Sequence, residues 1–228
     1  MMEWDESSSD KGEDTSNSDA LLSQNSWNAL RSGSRKSAFL PYKPSVTVLT
    51  NLQRGNTEAH TPVIESEELN FHQRAAQGDL TIKDIEQEPN IDEFDEDGLT
   101  PLMWASAYGQ FPIVAALLQS SANVDLENPL GQTALLFASF GGYHEIVRIL
   151  LLNGADVNHR DECGNTALMY AAQGNNPHTT NELLSKNANF TAVNANGDTA
   201  YSIAVKSENY VVQQVIENHL ISLLTGEG

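Results

Sequence analysis

One cysteine stands in 228 residues, Cys163, so the chain can close no disulfide within itself and can assemble no cysteine-based metal cluster. That scarcity suits a reducing, intracellular compartment. Basic residues are scarce as well: 12 Lys and Arg face 31 Asp and Glu, for a formal net charge of −19. Residues 67–228 hold 22 acids against 6 bases, a net −16, while residues 1–66 hold 9 against 6, a net −3. Phosphate backbones are gripped by clustered Lys and Arg, so no direct nucleic-acid binding is expected of the C-terminal part. The acidity suits a partner of basic character, or serves only to keep the chain soluble.

Long apolar runs are missing too. Stretches such as Ile146–Leu152 fall well short of the roughly 18 to 20 residues a membrane helix needs, and Met1–Ser9 is polar and acidic. Neither membrane insertion nor a secretory signal is expected. The histidines His60, His72, His144, His159, His178 and His219 are scattered, with no HExxH, no zinc-ligand spacing and no nucleophile elbow. Phosphate-cradling glycine loops are absent, and Cys163 sits in a turn between Glu162 and Gly164, where it is read as a surface thiol. No cofactor, no metal and no enzymatic activity are expected.

What the chain does have is a period. Gly98, Gly131, Gly164 and Gly197 stand 33 residues apart, and Thr100, Thr133, Thr166 and Thr199 each follow two positions later. Ala105, Ala138, Ala171 and Ala204 keep the same register, as do Leu117/Leu118, Leu150/Leu151 and Leu183/Leu184. A period of about 33 residues built as turn, helix, helix is the ankyrin signature. The expected fold is all-α, an ankyrin-repeat solenoid with β-turn fingers, and such arrays work by contact more often than by chemistry. Repeats are expected to start near Asp95, Asn128, Asp161 and Asn194, where the Asp or Asn side chain bonds turn amides and the glycine supplies φ > 0.

An N-terminal capping unit is expected over 67–94, where Leu69, His72, Ala75, Ala76 and Leu80 have helical spacing but no Gly-x-Thr opening. A longer last helix is expected from Val211, Val212, Val215, Ile216, His219, Leu220 and Leu223, and it closes the array at the other end. Thr100-Pro101 reads as a helix cap followed by proline at the first helical position. Residues 1–66 are rich in Ser, Asp, Asn, Thr and Pro without sustained periodicity, and are expected to be disordered. They hold an acidic run (Glu3–Asp19) and a basic, serine-rich patch around Arg31, Arg35 and Lys36, open to phosphorylation or merely a linker.

On the first helix of the first full repeat, Leu102, Ala105 and Ser106 share one side, while Trp104 and Tyr108 fall opposite them at about 100° per residue. The 33-residue register carries Trp104 to Phe137, Tyr170 and Ile203, and a neighbouring column holds Ala107, Phe140, Gln173 and Lys206. In a stacked array these columns become a stripe suited to gripping an extended peptide, because aromatic faces bury much area at little rotamer entropy. The candidate peptide-binding residues are Trp104, Tyr108, Phe137, Phe140, Tyr170 and Ile203. The competing reading is that the rings only pack between repeats. Asp92, Glu93, Asp95, Glu96 and Asp97 crowd the first finger, either to pair with a basic flank of a peptide or as a solvated run. An acidic scaffold that masks a basic segment of a partner is the alternative function.

Three stretches carry a more specific likeness: Leu99 to Gly109, Gly141 to Val147, and above all Val212 to Leu220, which is not ankyrin consensus. They resemble the family of the ankyrin subunit of the regulatory factor X complex and the ankyrin repeat family A protein, and Val48 to Asn56 resembles the segment before that family's repeats. The likeness covers roughly residues 46–224. It implies an adaptor, working in nucleus and cytoplasm, whose concave groove takes extended peptides of the pattern PxLPxI/L. The implied partners are regulatory factor X transcription factors, class IIa histone deacetylases and an endocytic receptor tail. Trp104 and Tyr170 match groove aromatics of that family, whereas Phe137, Phe140 and Ser202 stand where it has leucine, threonine and aspartate. Ala38 to Lys43 keeps the Leu-Pro centre of the ligand pattern, so a weak fold-back of this segment onto its own groove is a further expectation.

Overall fold

The structure is a computed structural model that describes residues 69–225. The expectations placed on residues 1–66, including disorder, the serine patch and the fold-back of Ala38 to Lys43, lie outside the described residues. Ten helices follow one another in pairs among those described: α1 (Phe71–Gln77) with α2 (Ile82–Gln87), α3 (Pro101–Ala107) with α4 (Phe111–Gln119), α5 (Ala134–Gly141) with α6 (His144–Leu152), α7 (Ala167–Gln173) with α8 (Pro177–Ser185), and α9 (Ala200–Lys206) with α10 (Tyr210–Thr225). In the last four pairs the two helices pack on each other. Each first helix also packs on the first helices beside it, and each second helix on its neighbours.

A stack of that kind needs small residues where first helices meet. Ala75, Ala105, Ala138, Ala171 and Ala204 are all 0% exposed, so the alanine column is the seam along which the first helices close up. The second helices meet through larger side chains, with Leu117, Leu150, Leu183 and Ile216 buried at the same register. Truncating one of these leucines to alanine removes packing worth about 2–5 kcal/mol.

The threonines expected to cap the first helices do so unequally. Thr100, Thr166 and Thr199 accept a bond from the backbone amide three residues on, at 3.3, 3.4 and 3.1 Å. Thr133 makes no such bond, and its buried hydroxyl has no hydrogen-bond partner.

The turns that join successive pairs are built as the Asp/Asn and glycine spacing predicts. Asp95, Asn128, Asp161 and Asn194 each accept from the backbone amide four residues later, at 2.7 to 2.9 Å. At Gly131 the backbone takes φ 69°, and a Cβ there would lie 3.1 Å from the Glu162 amide nitrogen of the next finger. Fingers are also tied to one another. Glu162 N–H donates to Leu130 O at 3.1 Å and Ala195 N–H to Cys163 O at 2.9 Å. The equivalent position one repeat earlier is Pro129, which has no N–H to give, and its ring lies against Gly98 instead.

Both ends of the stack depart from the pattern. At the first pair, Arg74 binds Asp84 at 2.7 Å, and the guanidinium, helped by the Thr81 hydroxyl and amide, holds the Asp84 carboxyl well below the usual carboxylate range. At the last pair, Tyr201 and Val205 are exposed where Leu168 and Ala172 are buried one repeat earlier, because no further first helix covers α9 among the described residues. The Tyr201 hydroxyl donates to Glu217 on α10 at 2.7 Å, which keeps its proton bound to higher pH than usual. Helix α10 has 16 residues where α4, α6 and α8 have 9.

Candidate functional site

The finger and the first helix of one repeat touch at a recurring point. In the first full repeat the Trp104 indole N–H donates to Asp95 Oδ2 at 2.6 Å, reaching nine residues back to the base of its own finger. In the third, the Tyr170 hydroxyl donates to Asp161 Oδ2 at 2.5 Å across the same nine residues. Position 104 and position 170 therefore solve the same problem, that of giving a large aromatic side chain a polar anchor at its far end.

Their surroundings differ. Trp104 is half-buried, and Tyr108, one turn on and 40% exposed, lies against it with ring centroids 5.8 Å apart and planes 23° from parallel. Burial, with the nearby Tyr143 adding to it, pushes the Tyr108 hydroxyl up from its ordinary value. Tyr143 is itself set against Gly109 and Gly141, where a Cβ would collide with its ring at 2.5 and 2.3 Å. Tyr170 is only 2% exposed. Its hydroxyl also receives the Gln132 amide at 3.2 Å, and Gln132 accepts from Asn128 at 3.1 Å, so a buried chain of polar groups joins the second finger to the third.

The expected free stripe is thus corrected at two of its members. Phe137 is 1% exposed and Tyr170 2%, and neither stands clear of the core. A helical wheel treats one helix in isolation, but α5 and α7 are packed on first helices to both sides and on their own second helices, which leaves less of each wheel open than the pattern suggests. Phe140 is half-buried and meets Tyr170 edge-on at a centroid distance of 6.3 Å. Ile203, at the far end of the column, is half-buried on α9. The structure thus brings together Trp104 with Tyr108, and Phe140 with Tyr170.

Sequence reasoning missed the amides that bridge repeats from the other end of the first helices. Gln110 donates to Ala76 O at 3.0 Å, Asn176 to Ser139 O and Phe140 O at 3.0 and 2.8 Å, and Asn209 to Ala172 O at 2.8 Å. Their signal was available, since Gln110, Asn176 and Asn209 fall on the same 33-residue register, interrupted only by Tyr143. Among the described residues no group of three or more His, Cys, Asp or Glu side chains is placed to hold a metal, and no helix is long and apolar enough to cross a membrane. A shallow pocket lined by Asn181, Val215, Asn218, His219 and Ser222 lies among α8 and α10, away from the aromatic column.

The family model for ankyrin repeats, in three copies, matches residues 71–161 and 138–222. The chain belongs to the ankyrin-repeat family. Among curated proteins this ankyrin-repeat chain is similar to human ankyrin repeat family A protein 2, 49% identical over 86 residues that make up 37% of this chain and 27% of the relative. The bovine protein of the same name matches equally. Human DNA-binding protein RFXANK is 43% identical over 79 residues, 33% of this chain and 30% of the relative. The matched stretch thus spans less than a third of the length of these relatives. An ankyrin array is a protein-interaction domain, and the likeness to both relatives agrees with the resemblance carried by the three sequence stretches.

Proposed function

We propose that this chain is a non-enzymatic adaptor, and that the face shared by its fingers and first helices is a groove for short, extended Pro- and Leu-containing peptides of the PxLPxI/L kind. The observation that carries the reading is Trp104: a large indole pinned at its N–H by Asp95, stacked on a substantially exposed Tyr108 and left half-open beside a finger. A rigid aromatic with one polar anchor offers a proline or leucine side chain a broad apolar surface with little entropy left to lose. Trp104, Tyr108 and Phe140 make the contact surface in this reading, with Ile203 at its far end. Phe137 and Tyr170 support it from below.

Similarity to RFXANK and to ankyrin repeat family A protein 2 favours transcription regulators as partners, regulatory factor X transcription factors and class IIa histone deacetylases among them, and a place of work in nucleus and cytoplasm. One relative is named a DNA-binding protein. With 22 acids against 6 bases over residues 67–228, this array is proposed not to bind nucleic acid directly. Trp104→Ala tests the groove: peptide affinity should fall by on the order of 2 kcal/mol while the circular dichroism spectrum stays unchanged. Normal binding by that variant would make the indole structural. Masking a basic segment by charge alone, the alternative, predicts binding that collapses as salt rises from low to 0.5 M and does not depend on Trp104.

A further inference from the structure

The apolar surface proposed as the groove is not electrically uniform along its length. Its first finger carries Asp92, Glu93, Asp95, Glu96 and Asp97 with no basic residue among them, and among the described residues no Lys, Arg or His side chain forms an ion pair with any of the five. The other fingers carry fewer acids. The second has Asp125 and Glu127, the third has Asp161 and Glu162 next to Arg160, and at the far end Asp198 holds Lys206 at 2.6 Å. Negative charge is thus densest on the first finger, beside Trp104, and is paired with a base at the finger before α9.

Two of the five acids are spoken for. Asp95 gives Oδ1 to the Asp97 and Leu99 amides and Oδ2 to Trp104, and Asp92 accepts from the Asn123 amide. Glu93, Glu96 and Asp97 are exposed, on the same finger whose base carries the Trp104 indole. That finger also lacks the backbone bond that ties the second finger to the third, since Pro129 has no N–H to donate. A half-open indole with uncompensated carboxylates beside it is a receptor for a cation, because a guanidinium or ammonium over a tryptophan face gains from the ring quadrupole while the carboxylates supply opposite charge.

Resting on the groove reading, we infer that the preferred occupant is a peptide with a Lys or Arg on one flank of its Pro/Leu anchor, and that this basic residue lies against the first finger over Trp104. The charge asymmetry then fixes the direction in which the peptide lies. Its uncharged flank runs toward Phe140 and Ile203, where Lys206 is already neutralised by Asp198.

The test uses the full chain and three labelled synthetic peptides: Pro-Ala-Leu-Pro-Ala-Leu alone, the same core with Arg-Arg before it, and the core with Arg-Arg after it, titrated by fluorescence anisotropy at 0.15 M salt. One arginine-flanked peptide should bind on the order of fivefold tighter than the core, and the other should not. The gain should disappear in the double variant Glu96→Lys/Asp97→Lys, whose side chains are exposed on the finger, while the core peptide binds that variant as it binds the wild type. Equal gains from both flanks, or a gain that survives the charge reversal, would overturn the inference and leave the groove standing. Failure of all three peptides to bind a folded chain would overturn the groove itself, and the inference with it.

Discussion

The first and third fingers are the same device put to opposite uses. Each sets an aspartate at its base and anchors an aromatic nine residues later, Trp104 on Asp95 and Tyr170 on Asp161. The base of the third finger is closed: Asp161 is 6% exposed, Gln132 reaches in from the previous repeat, and backbone bonds run to the fingers on both sides. Around the first, Asp95 is half-buried, no backbone bond runs to the second finger, and the indole keeps an open side. A repeat architecture lets one local motif be structural in one repeat and available in another, because the residues that neighbouring repeats bring to it differ while the motif does not: Gln132 reaches Tyr170, and Pro129 has no N–H for the first finger.

The comparison can be broken most forcefully at the two aspartates. Asp161→Ala strands a buried tyrosine hydroxyl and the Asn165 amide, and should cost about 3 kcal/mol in urea unfolding. Asp95→Ala removes the same bonds where water can replace them, and should cost about 1 kcal/mol while weakening peptide binding through a loosened Trp104. Equal losses would mean that the two fingers are equally closed. Tyr170→Phe sharpens the contrast: it should destabilise the fold by about 1–2 kcal/mol, through unpaired Asp161 and Gln132 groups, yet leave peptide affinity within twofold. A large loss of affinity would return Tyr170 to the contact surface.

The smallest effect is expected at the capping end. The Asp84 carboxyl has a folded-state pKa lowered chiefly by its hydrogen bond to Arg74, so its contribution is complete above the unfolded value of about 4 and is lost as pH falls through the folded value. Acid titration should therefore raise amide exchange in α1 and α2 before it does so in α7, and Asp84→Asn should flatten that dependence at once. Exchange at the capping end that, corrected for its intrinsic pH dependence, tracks that of α7 from about pH 5 down to about pH 2 would show that the pair contributes nothing.

The repeat architecture could be read from the chain almost entirely, because period, capping threonine, finger aspartate and alanine seam are all local or strictly periodic signals. Trp104 and Tyr108 were legible for the same reason: opposition to Leu102 and Ala105 on one helix is enough to find them. Burial of Phe137 and Tyr170 was not, since it is decided by the flanking helices and by a hydrogen bond from Gln132, 38 residues away. Thr133 shows the limit at smaller scale, keeping the capping position and register of its three counterparts without making their bond. A hint did exist. Gln132 is a buried polar residue where the repeat before it has the buried Leu99, and a polar residue there asks for a partner that Tyr170 supplies.

The rungs between fingers and the amides between first helices have one more consequence. Gln132 with Tyr170, Asn123 with Asp92, Asn189 with Asn158 and Asn209 with Ala172 are joined over no more than 38 residues, so the hydrogen bonds from each repeat reach only its neighbours. Loop closure over such distances is cheap, and a chain built this way can zip outward from whichever pair of repeats docks first. During synthesis the capping unit and first full repeat need wait for little of the sequence beyond them, so Trp104 would be in place on a seated finger before α10 had been made.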